Sequence, residues 1–305
     1  MSPILQVEHL SKSYKQIDAV HDLSFTVYQG DVFGFLGQNG AGKSTTIRML
    51  LSLISPTNGT IRIFNTDLRK NRAAILSRIG AVIERPDLYK YLSGFQNLRL
   101  FASMSGKKIT TVQLHQQLER VGLASRAHSK VSTYSQGMKQ RLGIAIALVH
   151  EPDLVILDEP TNGLDPQGIA DIRNLILELS KEGKTIIVSS HLLSEIELIA
   201  NRMIVMDKGK KLVEGEVSVL LDPSKMKFRI QTDNNSAVCS LLRSSVWSYC
   251  SNEHVDNYIH LTIDKKDISN LIAFIVNKGI GVFSVEPLHS LEEYFLNITK
   301  HNINA

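Results

Sequence analysis

Hydrophobic and polar positions alternate along Ile4-Leu5-Gln6-Val7-Glu8, the pattern of a strand with one buried face. A second strand is expected around Ala19–Val27, ending at Tyr28-Gln29-Gly30. The unbroken apolar runs Val32–Leu36, Leu154–Leu157 and Thr185–Val188 have the character of strands covered on both faces. A further strand is predicted at Ile79–Ile83. Helices are predicted over Ser44–Ile54 and Gly168–Lys181, and the stretch from about Gly94 to Val131 is helical in character. Strands alternating with helices imply an α/β fold: a mostly parallel sheet with helices on its faces.

The pattern changes at Leu220–Lys225, where Asp222-Pro223-Ser224 reads as a linker. Two domains follow from this, residues 1–220 and a small α+β accessory domain over 221–305. The second reads as strand Met226–Thr232, helix Ser236–Arg243, strand Val255–Ile263, helix Ile268–Asn277 and strand Val282–Glu286. A closing helix is expected over Leu291–Thr299, with Ser290 and Glu293 spaced as a capping box. No motif in this domain carries chemistry, and its expected role is regulation, dimerisation or packing.

Composition changes the picture little. The 305 residues are 43% hydrophobic and 21% charged with a formal net charge of +4, an ordinary globular balance. No Lys/Arg-rich run marks a nucleic acid partner. Cys239 and Cys250, the two cysteines, are too few for a disulfide framework and read as reduced cytosolic thiols. Met1–Leu10 lacks the character of a signal peptide. The apolar stretches Leu142–Val149 and Leu271–Val276 fall short of the about 20 residues that a membrane helix needs. Any membrane-spanning part is therefore expected on another polypeptide.

Candidate chemistry is concentrated at two places. Gly37-Gln38-Asn39-Gly40-Ala41-Gly42-Lys43-Ser44 fits G-x-x-x-x-G-K-[ST] and lies between a predicted buried strand and a helix. Such a loop turns backbone N–H groups toward phosphate oxygens, and the following helix adds the positive end of its dipole. Lys43 is expected on the β- and γ-phosphates and Ser44 on Mg²⁺. The strand Leu154–Leu157 runs out into Asp158 and Glu159; the first could hold the metal, and the second could polarise an attacking water.

Together with three further motifs, these residues resemble the ATP-binding-cassette (ABC) family over residues 1 to about 215. Tyr134-Ser135-Gln136-Gly137-Met138 resembles its signature, Asn162-Gly163-Leu164-Asp165 its D-loop, and Ser190-His191 its switch histidine. Tyr14 stands where the family places an aromatic on adenine, a surface aromatic being the plainer alternative. The resemblance implies a nucleotide-binding domain of the P-loop NTPase class, with antiparallel β and helical subdomains beside the core sheet. It implies ATP and Mg²⁺ as cofactors, Lys43, Glu159 and His191 as catalytic residues, and Thr45 as a further nucleotide contact. Ser135 and Gly137 would reach the γ-phosphate of a second subunit's ATP, with Asp165 coupling the two sites of a homodimer.

The family usually places a glutamine after the strand at Ile79–Ile83; here it is Glu84, implied as a metal ligand. Glu84, the Tyr-Ser-Gln-Gly-Met signature and the ending Ser290–Leu296 resemble the subgroup that exports bacitracin and lantibiotics or confers immunity to them. The expectation is an ATP hydrolase held at the cytoplasmic face of the membrane by a separate permease, which it contacts through Tyr89–Gln96. The alternatives are an exporter of another substrate and a soluble cassette ATPase acting on ribosomes or DNA, which the single cassette and absent basic patch count against.

Overall fold

The computed structural model describes residues 2–15, 17–221, 227–248, 250–255 and 257–287. The chain divides into two compact units, Met1–Glu216 and Val217–Ala305.

The first unit is built on a six-stranded sheet of order β10-β9-β3-β8-β7-β6. Its strands are β3 (Val32–Leu36), β6 (Ile79–Val82), β7 (Leu154–Asp158), β8 (Thr185–Ser190), β9 (Arg202–Asp207) and β10 (Lys210–Glu216). All are parallel except β10, which pairs antiparallel with β9. Every residue of β3, β7 and β8 is buried, which is why these segments read as unbroken apolar runs. A second, antiparallel sheet of order β2-β1-β4-β5 joins β1 (Pro3–Tyr14), β2 (Ile17–Tyr28), β4 (Asn58–Ile63) and β5 (Thr66–Asp67). Phe25 of β2 packs against Phe33 and Phe35 of β3 with ring centroids 5.8 and 5.1 Å apart, so one core serves both sheets.

Helices α1 (Lys43–Leu50), α2 (Arg72–Leu76), α6 (Pro166–Lys181) and α7 (Leu193–Ile199) belong to the sheet crossovers. The predicted long helical stretch resolves into α3 (Gly94–Met104) and α4 (Thr111–Arg120), followed by α5 (Gln136–Leu148). Ser93 and Thr110 start α3 and α4 as complete capping boxes, which is where sequence periodicity alone could not place a break.

In the second unit, α8 (Val217–Leu220) precedes β11 (Lys227–Thr232), α9 (Asn235–Arg243), β12 (Ser251–Val255), β13 (Tyr258–Thr262), α10 (Ile268–Asn277) and β14 (Val282–Pro287). The sheet order β12-β13-β11-β14, antiparallel throughout, gives the split βαβ arrangement. Val238, Leu242, Leu271 and Ile275 from the helices share a core with Phe228, Ile230, Ile259 and Leu261 from the strands. The predicted strand Val255–Ile263 is in fact the second half of a hairpin: Val255 closes β12 and pairs with Tyr258 at the start of β13. Ser251–His254 is polar, so it carried no strand pattern of its own. The linker Asp222-Pro223-Ser224 and the helix Leu291–Thr299 with its Ser290/Glu293 cap lie outside the described residues.

Candidate functional site

The loop from Gly37 to Gly42 connects β3, whose last residue is Leu36, to α1, which starts at Lys43. Gly42 has φ 100°, and a Cβ there would sit 2.6 Å from the Ala19 carbonyl oxygen, so both conformation and space demand glycine. Ser44 and Thr45 follow in the first turn of α1, where the backbone N–H groups have no helical partners. Lys43 folds back over its own loop; its Nζ donates to the Gly37 carbonyl at 2.6 Å and the Gln38 carbonyl at 3.3 Å.

The same ammonium lies 3.1 Å from Glu159 Oε1, with the two side chains only 5% and 12% exposed. Glu159 follows β7 and has φ 48°, a left-handed conformation that costs a non-glycine residue about 1–2 kcal/mol. That strain aims its carboxylate: Oε2 accepts from Nδ1 of His191 at 2.8 Å, and the backbone N–H donates to Ser189 Oγ at 2.8 Å. Ser189 in turn donates to Asp158 Oδ1 at 2.6 Å. Asp158 is fully buried, and its other oxygen, Oδ2, has no hydrogen-bond partner among the described residues. Adjacent parallel strands β7 and β8 bring these groups together, Asp158 standing opposite Ser189 in the register.

One consequence concerns His191. With its Nδ1–H given to Glu159, a neutral ring offers a lone pair at Nε2. Donation from Nε2 to a phosphate oxygen therefore requires the doubly protonated ring.

A cavity of about 980 Å³ opens over the loop, large enough for a nucleotide. Gln38, Asn39, Gly40, Ala41, Gly42, Lys43, Ser44, Thr45, Glu84 and Glu159 line it, as do Asn162 of the D-loop motif and residues to which motif reasoning gave no role at the site: Ile17, Asp18, Ala19, Arg85 and Lys208. Tyr14 is not among the lining residues; it is 47% exposed, with Lys12 Nζ 4.9 Å from its ring centroid. Glu84, with φ 54°, borders the cavity but directs Oε1 to Arg48 Nη2 at 2.5 Å. Arg48 lies on the loop's own helix, and nothing in its sequence context distinguishes it from a solvated helix charge. Pro86 meets Gly143 of α5 so closely that a Cβ on Gly143 would fall 2.4 Å from Pro86 Cγ.

Ser135, Gly137 and Asp165 form a separate group away from this lining. Ser135 caps α5, accepting from Met138 N–H at 3.2 Å, and Asp165 caps α6, accepting from Gly168 N–H at 3.0 Å. A Cβ on Gly137 would meet nothing nearer than 4.0 Å, where Gly168 Cα and Ser135 Oγ lie, so the two helix starts are neighbours. Ser189 lies two residues before His191, but a serine at the end of a buried strand fits no chemical pattern by itself.

With this geometry in view, the model of the ABC transporter family matches residues 20–162. The bacitracin transport ATP-binding protein BcrA of Bacillus licheniformis is 41% identical over 302 residues, covering 98% of each chain. The lantibiotic transport ATP-binding protein SrtF of Streptococcus pyogenes is 42% identical over 213 residues, 70% of this chain and 91% of its own. A dimeric post-hydrolysis structure of the ATP-binding cassette MJ0796 bound to ADP and phosphate superposes with a TM-score of 0.64 over 70% of this chain and 98% of the other, at 24% identity. The last likeness shows the fold. The chain belongs to the ATP-binding proteins of ABC transporters, and it binds and hydrolyses ATP as a transporter subunit.

Proposed function

We propose that this chain energises export of a peptide antibiotic, bacitracin or a lantibiotic, as a homodimer docked from the cytoplasmic side on a separate membrane-spanning permease. Similarity to a bacitracin transport protein along 98% of both chains is the observation that carries the substrate class. Among the described residues no helix is long and apolar enough to cross a membrane, in keeping with a permease on another chain. Tyr89 and Tyr91, 39% and 70% exposed with rings 5.9 Å apart, offer an aromatic surface for that permease. The ribosome or DNA alternative has no observation in its favour.

In this reading ATP lies along the loop Gly37–Gly42, with Lys43 on its terminal phosphates. The phosphates draw Lys43 away from Glu159, and the freed carboxylate takes a proton from the attacking water. His191 holds Glu159 in place from the other side and, doubly protonated, reaches the γ-phosphate. Mg²⁺ suits the donor set: the Ser44 hydroxyl and the unpartnered Asp158 Oδ2 are hard oxygens. Among the described residues no group of three or more His, Cys, Asp or Glu could hold a metal, in keeping with an ion that takes its remaining ligands from phosphate and water. When bound, the ion neutralises charge on the phosphates. Glu84 joins that set only by leaving Arg48.

Ser135, Gly137 and Asp165 serve the second subunit's nucleotide. Internal packing leaves open space where a Gly137 side chain would go, so an external contact accounts for glycine there. The unit over Val217–Ala305 is assigned to dimerisation or packing.

The test is survival of a sensitive bacterium carrying this chain and its native permease, challenged with bacitracin and several lantibiotics. Protection that Glu159→Gln removes supports the proposal. No protection, with both proteins assembled, overturns the substrate class and leaves the ATPase assignment standing.

A further inference from the structure

Lys208 occupies the two-residue turn between β9 and β10, with φ 45° at Lys208 and 79° at Gly209. Turns with positive φ at both central residues favour Asn, Asp or Gly in the first place, because a Cβ is strained there. A lysine at this position is the wrong choice for the turn alone.

The turn is fastened to the phosphate loop. Gly209 N–H donates to the Ala41 carbonyl at 3.1 Å, and the Gly209 carbonyl accepts from His21 N–H at 2.8 Å. A Cβ on Gly42 would lie 3.4 Å from Gly209 Cα. Lys208 thus borders the nucleotide cavity from a rigid base. Its ammonium has no hydrogen-bond or ion-pair partner among the described residues. The nearby Asp18 carboxylate is engaged, accepting from Ser13 Oγ at 2.6 Å.

Position along the cavity decides what this cation meets. Lys43, Glu159 and His191 define the terminal-phosphate end of a nucleotide laid along the loop. The turn stands on the Ala19 side of the loop, against Gly42 at the start of α1, and no hydrogen bond or ion pair links it to Lys43, Glu159 or His191 among the described residues. We infer that Lys208 is a nucleotide-binding residue whose ammonium pairs with the α-phosphate. It makes that contact with ATP and ADP alike, and so sets retention of nucleotide rather than the rate of bond cleavage. The inference rests on the family's ATP site being this cavity.

The experiment is displacement of a fluorescent ATP analogue from the full chain by ATP and by ADP, at low and high salt. Lys208→Asn and Lys208→Gly remove the charge while suiting the turn; Lys208→Arg keeps the charge. A single charge-assisted contact predicts that Asn and Gly weaken ATP and ADP by the same factor, roughly three- to tenfold, and less so in high salt. Arg should bind within about twofold of the parent. The thermal midpoint of the nucleotide-free Gly variant should equal or exceed the parent's, which separates lost binding from lost structure. Unchanged affinities, a loss confined to ATP, or an equal loss in Arg and Asn would each overturn the assignment. A parent whose binding survives Lys43→Ala would sink the reading of the cavity along with it.

Discussion

The two units differ in what they bury. Between β11 and β14 the described core is apolar, with Thr232 as its single buried polar side chain, and no described non-glycine residue has positive φ. The first unit buries Lys43, Asp158 and Asp31 outright and has ten non-glycine residues with positive φ, three of which, Glu84, Glu159 and Lys208, line one cavity together with Lys43. Buried charge and backbone strain each cost stability. The two costs meet in the Lys43–Glu159 pair, where a nearly buried ion pair includes a left-handed residue, and the accessory unit shows what the same chain builds without that demand.

Four substitutions sharpen or break this contrast. Lys43→Ala removes the cation from a nearly buried pair, so ATP affinity should fall about a hundredfold (~3 kcal/mol) in nucleotide titration, while the accessory unit's unfolding is unmoved. An unchanged affinity would mean that the cluster is structural. Leu271→Ala empties a fully buried site in the accessory core and should cost about 2–5 kcal/mol in chemical denaturation of that unit with ATP affinity intact. A matching loss of ATP affinity would erase the distinction between the units.

Gly143→Ala comes next: its Cβ would press on Pro86, and overpacking of this kind costs about 1–3 kcal/mol. Because that contact joins the loop bearing Glu84 to the helix bearing Gly137, turnover should fall by more than nucleotide affinity does. The smallest effect is expected from Glu84→Gln. The pair with Arg48 is 60% and 42% exposed, so the melting point should barely move, with a change below about 1 kcal/mol that shrinks further in salt. The Mg²⁺ concentration needed for half-maximal turnover should nevertheless shift, and an unshifted value would make Glu84 a neutral variant.

Legibility in the sequence follows the same division. The phosphate loop, Asp158 and Glu159 could be read because each follows a buried apolar strand, where hydrophobicity gives way abruptly to polar residues, and His191 was found through the family resemblance. Lys208 and Arg48 could not, since a lysine before glycine and an arginine on a helix look like ordinary surface charge until the fold sets them beside the loop. The edge strand β12 was missed for a related reason: Ser251–His254 is held by pairing with β13, and pairing leaves no trace in local hydrophobicity. Glu84 was found by motif, yet its pairing with Arg48 depends on a contact across 36 residues that no local pattern records.

Glu159, gripped between Lys43 and His191, is proposed as the base freed when ATP takes Lys43 away. Paired measurement of ATP affinity and Mg²⁺-dependent turnover in the parent and in Glu159→Gln tests it most directly. Affinity held or raised, with turnover reduced at least a hundredfold, is the predicted result. Turnover within tenfold of the parent, or affinity lost in step with turnover, would contradict it.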